Sequence, residues 1–172
     1  MGTGQMMMVA IAIILIGQLI LSGNESMSIG QGIVTESEAI AAATGIGQSM
    51  LERITCKSYD DSISAYMSPD RSSFKSVGRD GTEIAGRDTS FDDIDDYNGY
   101  VDTVHTPRFG KFVVRCNVYF VNESAPYDST ITKTYSKRID IRVNNSFMVD
   151  TTGKDPDKLT NPLSLYQIVS YY

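Results

Sequence analysis

An unbroken aliphatic run lies close to the start of the chain. Met6 to Ile16 reads MMMVAIAIILI, and Leu19–Leu21 carries it past Gly17 and Gln18 to Ser22. A surface this apolar belongs in a bilayer, in a chaperone, or in the core of an assembly of copies of the chain. The pattern then weakens. Gly17, Gly23, Gly30 and Gly32 fall close together, and Gly23-Asn24 is a turn-like pair. Each glycine inside a helix costs about 1 kcal/mol relative to alanine. Residues 1–34 are therefore predicted as a hydrophobic stalk whose part from 22 to 34 lacks stable helix. Next, Thr35-Glu36-Ser37-Glu38 has the form of a capping box. Behind it Ile40, Ala43, Gly47, Met50 or Leu51, and Ile54 recur every three to four residues, which predicts an amphipathic helix over 35–57. Arg53 and Lys57 suit its C-terminal dipole end.

From Lys111 the period changes to two. Phe112, Val114, Cys116, Val118 and Phe120 share one face of Lys111–Val121. Ile139, Ile141 and Val143 share a face of Tyr135–Val143, with Arg138, Asp140 and Arg142 opposite. Leu163–Tyr172 is a third strand, carrying Leu163, Leu165, Val169 and Tyr171. The links between them, 122–129 and 144–162, are turn-rich and hold no crossover helix, so the strands should pair antiparallel. Their apolar face needs a cover, and the 35–57 helix is the one long amphipathic segment available. The expected fold class is α+β: a long N-terminal helix with a weakened Gly-rich segment, packed on an antiparallel β-sheet. The globular head spans 35–172, with a helix over 35–57, a loop region over 58–107 and a sheet over 108–172.

Composition narrows the function. The chain has 172 residues, enough for one domain beyond the stalk, and a formal net charge of −6. That charge argues against a nucleic-acid partner. No Lys or Arg occurs before Arg53, and no aromatic residue before Tyr59. A secretory signal peptide needs a basic n-region and a nearby small-x-small cleavage site, and the run has neither. An ordinary membrane anchor would carry basic residues on its cytoplasmic side, which are missing here too. The simplest expectation is a processed form from which a basic flank has been removed.

The opening MGTGQMMMVAIAIILIGQLIL resembles the mature N-terminus of a type IV pilin. In that family a peptidase removes a basic leader, the new first residue is N-methylated, and a glutamate at the fifth position precedes the aliphatic stretch. Met1 matches the first position, Gln5 stands where the glutamate belongs, and Met6–Ile11 matches the aliphatic start. Gln5 accepts a hydrogen bond but cannot neutralise a neighbouring amine, which resembles the minor pilins that tolerate loss of the glutamate. The resemblance implies a structural subunit that rests in the inner membrane. The pilus assembly machinery then draws it into a homo-oligomeric helical filament on the cell surface, where such filaments serve adhesion. It also implies that the Gly-rich segment unwinds in the filament. The alternative is a membrane-anchored surface binding module that does not polymerise.

A second string, Phe91-Asp92-Asp93-Ile94-Asp95-Asp96-Tyr97-Asn98-Gly99-Tyr100, is similar to a stretch of the MSHA-type minor pilins. Asp92, Asp93, Asp95 and Asp96 together suit a hard cation such as Ca²⁺, although the spacing is not that of an EF-hand. The competing reading has these carboxylates capping local turns while the aromatics anchor the loop on the sheet. Cys56 and Cys116 are too far apart in sequence for a zinc pair. Either one long-range disulfide or two separate buried thiols fits them. A helix over the sheet would bring Cys56 near Cys116, and the extracellular setting that the resemblance implies favours a bond between them. No catalytic residue is read: His105 is the single histidine, in a predicted loop, and no nucleophile elbow or phosphate loop occurs. Asn122 and Asn144 open N-x-Ser triplets and are glycosylation candidates, and Asn24, which opens a third, lies in the stalk.

Overall fold

The computed structural model describes residues 2–60, 70–79, 83, 86–148 and 162–171. Helix α1 (Thr3–Thr55) precedes strands β1 (Val101–Thr106), β2 (Gly110–Asn122), β3 (Ala125–Thr130), β4 (Ser136–Asn144) and β5 (Leu163–Ser170). The chain divides into two compact units, Met1–Glu38 and Ala39–Tyr172.

From Thr3 onward the first unit is helix. The break expected over 22–34 is absent from this single chain, since α1 runs unbroken through all four stalk glycines. Glycine lowers helix stability but supplies no other partner for the backbone, so the helical bonds remain the available pairing. Ser26, Thr35 and Ser37 donate to the carbonyls of Ser22, Gln31 and Ile33, four residues back. Thr35 is thus mid-helix rather than a cap. With the preceding turn helical, the N–H groups a capping box would serve are already bonded.

The second unit is the head, in which the α1 residues from Ala39 onward cover one face of the sheet. Ala39, Ala43, Gly47, Met50 and Ile54 are buried. Ala39 takes the place expected of Ile40, which is exposed. The first three contact residues are small, so the helix backbone approaches the strands closely. A Cβ on Gly47 would lie 2.6 Å from Leu165 Cδ1 and 3.4 Å from Val143 Cγ2.

All strand pairings are antiparallel, in the order β1-β2-β4-β5, with β3 pairing the far end of β2. The three predicted strands match β2, β4 and β5. Among the described residues two more occur where loops were expected: β1 within 58–107, and β3, which begins in the 122–129 link. Both are short, and their alternation is too weak to read, because neither has a fully buried position. The predicted faces of β2 and β4 stand. Phe112, Val114, Cys116, Val118, Phe120, Ile139, Ile141 and Val143 are all buried.

Candidate functional site

The aliphatic surface of the first unit is unpartnered in the single chain. Met6, Met7, Met8, Val9, Ile13, Ile14, Leu15, Leu19 and Leu21 are each more than half exposed. Between Gly2 and Val34 only Gly17 is even half-buried. The helix is long and apolar enough to cross a membrane. Gln5 lies in its first turn, is exposed, and its backbone N–H reaches the carbonyl of Gly2 at 3.0 Å. Met1, the predicted processing position, lies outside the described residues.

The acidic string folds as a tight loop against the head. Ile94 donates its N–H to the carbonyl of Ser58 at 3.0 Å, just past the end of α1. At the other end, Cys116 on β2 donates to Tyr100 and accepts from Gly99. Gly99 has φ 75°, in the left-handed region glycine favours. Phe91, Tyr97 and Tyr100 stack edge to face, with centroids 4.9–5.6 Å apart.

The four aspartates do not converge on one point. Asp93 Oδ1 accepts from the N–H groups of Asp95 and Asp96, and Asp96 Oδ2 accepts from those of Asp92 and Asp93. Asp95 turns away to Lys137. Of the expected ligands Asp92, Asp93, Asp95 and Asp96, Asp93 and Asp95 are committed to these contacts within the head. Spacing of two and three residues in a tight turn suits carboxylates to local backbone N–H groups better than to a shared ion. Among the described residues, the carboxylates of Glu83, Asp92 and Asp96 do gather within 4.8 Å of one another. Burial, and after it a hydrogen bond with Glu83, pushes the Asp96 carboxyl up to about 6.

Sequence reasoning missed the most constrained polar group of the head. Lys137 is fully buried on the inward face of β4. Its Nζ lies 2.6 Å from Asp95 Oδ2, 2.8 Å from the carbonyl of Tyr59, and 3.6 Å from Asp60 Oδ2. The rings of Tyr59 and Phe120 flank it at 4.2 and 5.2 Å. Burial pushes the Asp95 carboxyl up to about 7, against the pull of Lys137. A signal was present: strict alternation in β4 puts Lys137 on the side of Ile139, Ile141 and Val143, where a lysine needs a buried partner.

The cysteines are free. Cys56 is exposed and Cys116 is buried, which corrects the expected disulfide. Ile54 faces the sheet, and two residues further on, about 200° around a helix, the side chain points away. Burial pushes the Cys116 thiol up to about 12. His105 lies on β1 opposite Lys111 rather than in a loop, and is exposed. Asn122 is exposed at the β2–β3 turn, where its Oδ1 accepts from the N–H and hydroxyl of Ser124. Asn144 is half-buried at the end of β4.

No family model, curated protein or solved structure matches this chain.

Proposed function

We propose that the chain is a structural subunit of a type IV pilus-like extracellular filament, assembled through its aliphatic N-terminal helix. One observation carries this reading. The head has a complete core of its own, while Met6–Leu21 is exposed and apolar on all sides. A helix apolar all round is a buried helix in its working state. Burying about ten such side chains between subunits contributes on the order of 15–30 kcal/mol gross. Transfer from lipid rather than water leaves a smaller net drive. Small residues support close approach in such packing, and a Cβ at Gly17, Gly23, Gly30 or Gly32 would meet nothing within 4 Å in the single chain.

The alternative is a membrane-anchored surface module, favoured by the fitness of the same helix to cross a membrane. Electron microscopy of material sheared from cells expressing the chain separates the two. Filaments whose repeating mass is this chain support the subunit reading. A chain found wholly in the detergent-extracted membrane fraction, with no filaments, supports the anchor.

A further inference from the structure

Lys137, Asp95 and Asp60 form one buried cluster in the head. Its three side chains come from separate parts of the fold: β4, the acidic loop, and the segment after α1. All are withdrawn from solvent, at 0%, 2% and 0% exposure. A buried ion pair gains net stability only when its remaining polar atoms are satisfied. This one is incomplete, because Asp95 Oδ1 is buried and makes no hydrogen bond. The rings of Tyr59 and Phe120 flank the Nζ. Transfer of a proton from Nζ to the carboxylate oxygen it touches would set an amine against a carboxylic acid.

We propose that Lys137 and Asp95 join covalently in an intramolecular isopeptide bond, with Asp60 carrying the proton. The amine lone pair of Nζ attacks Cγ of the Asp95 carboxylic acid. Asp60, whose Oδ2 lies 3.6 Å from Nζ, takes a proton from the nitrogen and returns it to the departing hydroxyl. The Nζ–Cγ bond forms, the Cγ–Oδ2 bond breaks, and one water leaves. No oxidant, metal or second substrate enters. The product replaces the buried Lys137–Asp95 ion pair with one neutral amide, whose carbonyl oxygen is the former Oδ1. The contact already at 2.6 Å supplies the proximity such a condensation needs. The crosslink ties β4 to the loop ahead of β1, so the head resists being pulled open. The chemistry does not depend on the filament reading.

Mass spectrometry of the full chain in detergent, denatured before measurement, tests it. The wild type should weigh about 18 Da, one water, less than its residues require. Protease digestion should yield a branched peptide containing Asp95 and Lys137. Lys137→Arg and Asp60→Asn should restore the full mass and abolish that peptide. A wild type at full mass overturns the proposal. So does a deficit without the branched peptide, which marks ring closure elsewhere, for instance at Asp80-Gly81. Persistence of the branched peptide in Asp60→Asn removes Asp60 from the reaction.

Discussion

Gly23 and Gly47 belong to the same helix, and a methyl group added to each meets opposite surroundings. At Gly23 nothing lies within 4 Å, while at Gly47 the new carbon would lie 2.6 Å from Leu165 Cδ1. The two halves of α1 differ in the same way along their lengths. Ala39, Ala43, Gly47, Met50 and Ile54 make one buried stripe, whereas Met6–Leu21 is apolar on every side and buries none of it. The first pattern describes a helix whose partner is in the same chain. The second describes a helix whose partner is lipid or other chains. One continuous secondary structure thus carries two jobs, and their separability is open to experiment.

The largest effect should come from the apolar half. Ile14→Asp places a carboxylate in the middle of the run, where hydrocarbon or a dry filament core penalises it by several kcal/mol. Filaments should be lost while the thermal midpoint of the head stays that of the wild type. Normal filaments from Ile14→Asp, seen by electron microscopy, would remove the run from the assembly core.

A moderate effect belongs to the buried half. Gly47→Leu should destabilise the head by about 1–3 kcal/mol through overpacking against Leu165 and Val143. Gly23→Leu should leave the head unchanged and raise helix content in the first unit by less than about 1 kcal/mol. Denaturant melts of the two variants side by side test the contrast. Equal effects would show that the halves are not independent.

The acidic loop adds a pH dependence confined to the head. Asp96 rises from the ordinary 3.8 to about 6 in the folded state, through burial first and the Glu83 hydrogen bond second. The folded head therefore keeps a proton that the unfolded chain gives up across that interval. This contribution to stability is full below pH 3.8 and is lost as pH rises toward about 6. Asp96→Asn keeps an oxygen for the N–H groups of Asp92 and Asp93 and should flatten that slope. A melt series in which Asp96→Asn leaves the slope unchanged would place the titration elsewhere.

The smallest perturbation is alkylation of the native protein. Cys56 should react without loss of structure, and Cys116 only after denaturation, as their exposure and the raised thiol of Cys116 require. A mass of the denatured chain showing neither thiol alkylated before reduction, and both after it, would restore the disulfide.

Much of the head was legible because its strands alternate cleanly. Phe112 to Phe120 and Ile139 to Val143 give their inward faces by period alone, and the α+β class follows from one long amphipathic helix beside them. The same rule, applied to Lys137, would have disclosed the buried cluster. What misled was local chemistry read without its surroundings. Thr35-Glu36-Ser37-Glu38 is a capping motif only if a helix begins there, and four nearby aspartates are a cation site only if their oxygens converge.

The sequence by itself determined that this chain carries an aliphatic segment with no polar face and a separate domain able to form its own core. Both follow from where apolar side chains recur, because transfer out of water acts on composition and period before any particular contact exists. The tertiary structure alone decided which partners the polar groups take. It turned Ile54 rather than Cys56 toward the sheet, sent Asp95 to Lys137 and paired Asp96 with Glu83. Those choices depend on directions and distances of a few ångströms between residues far apart in the chain, which periodicity does not encode.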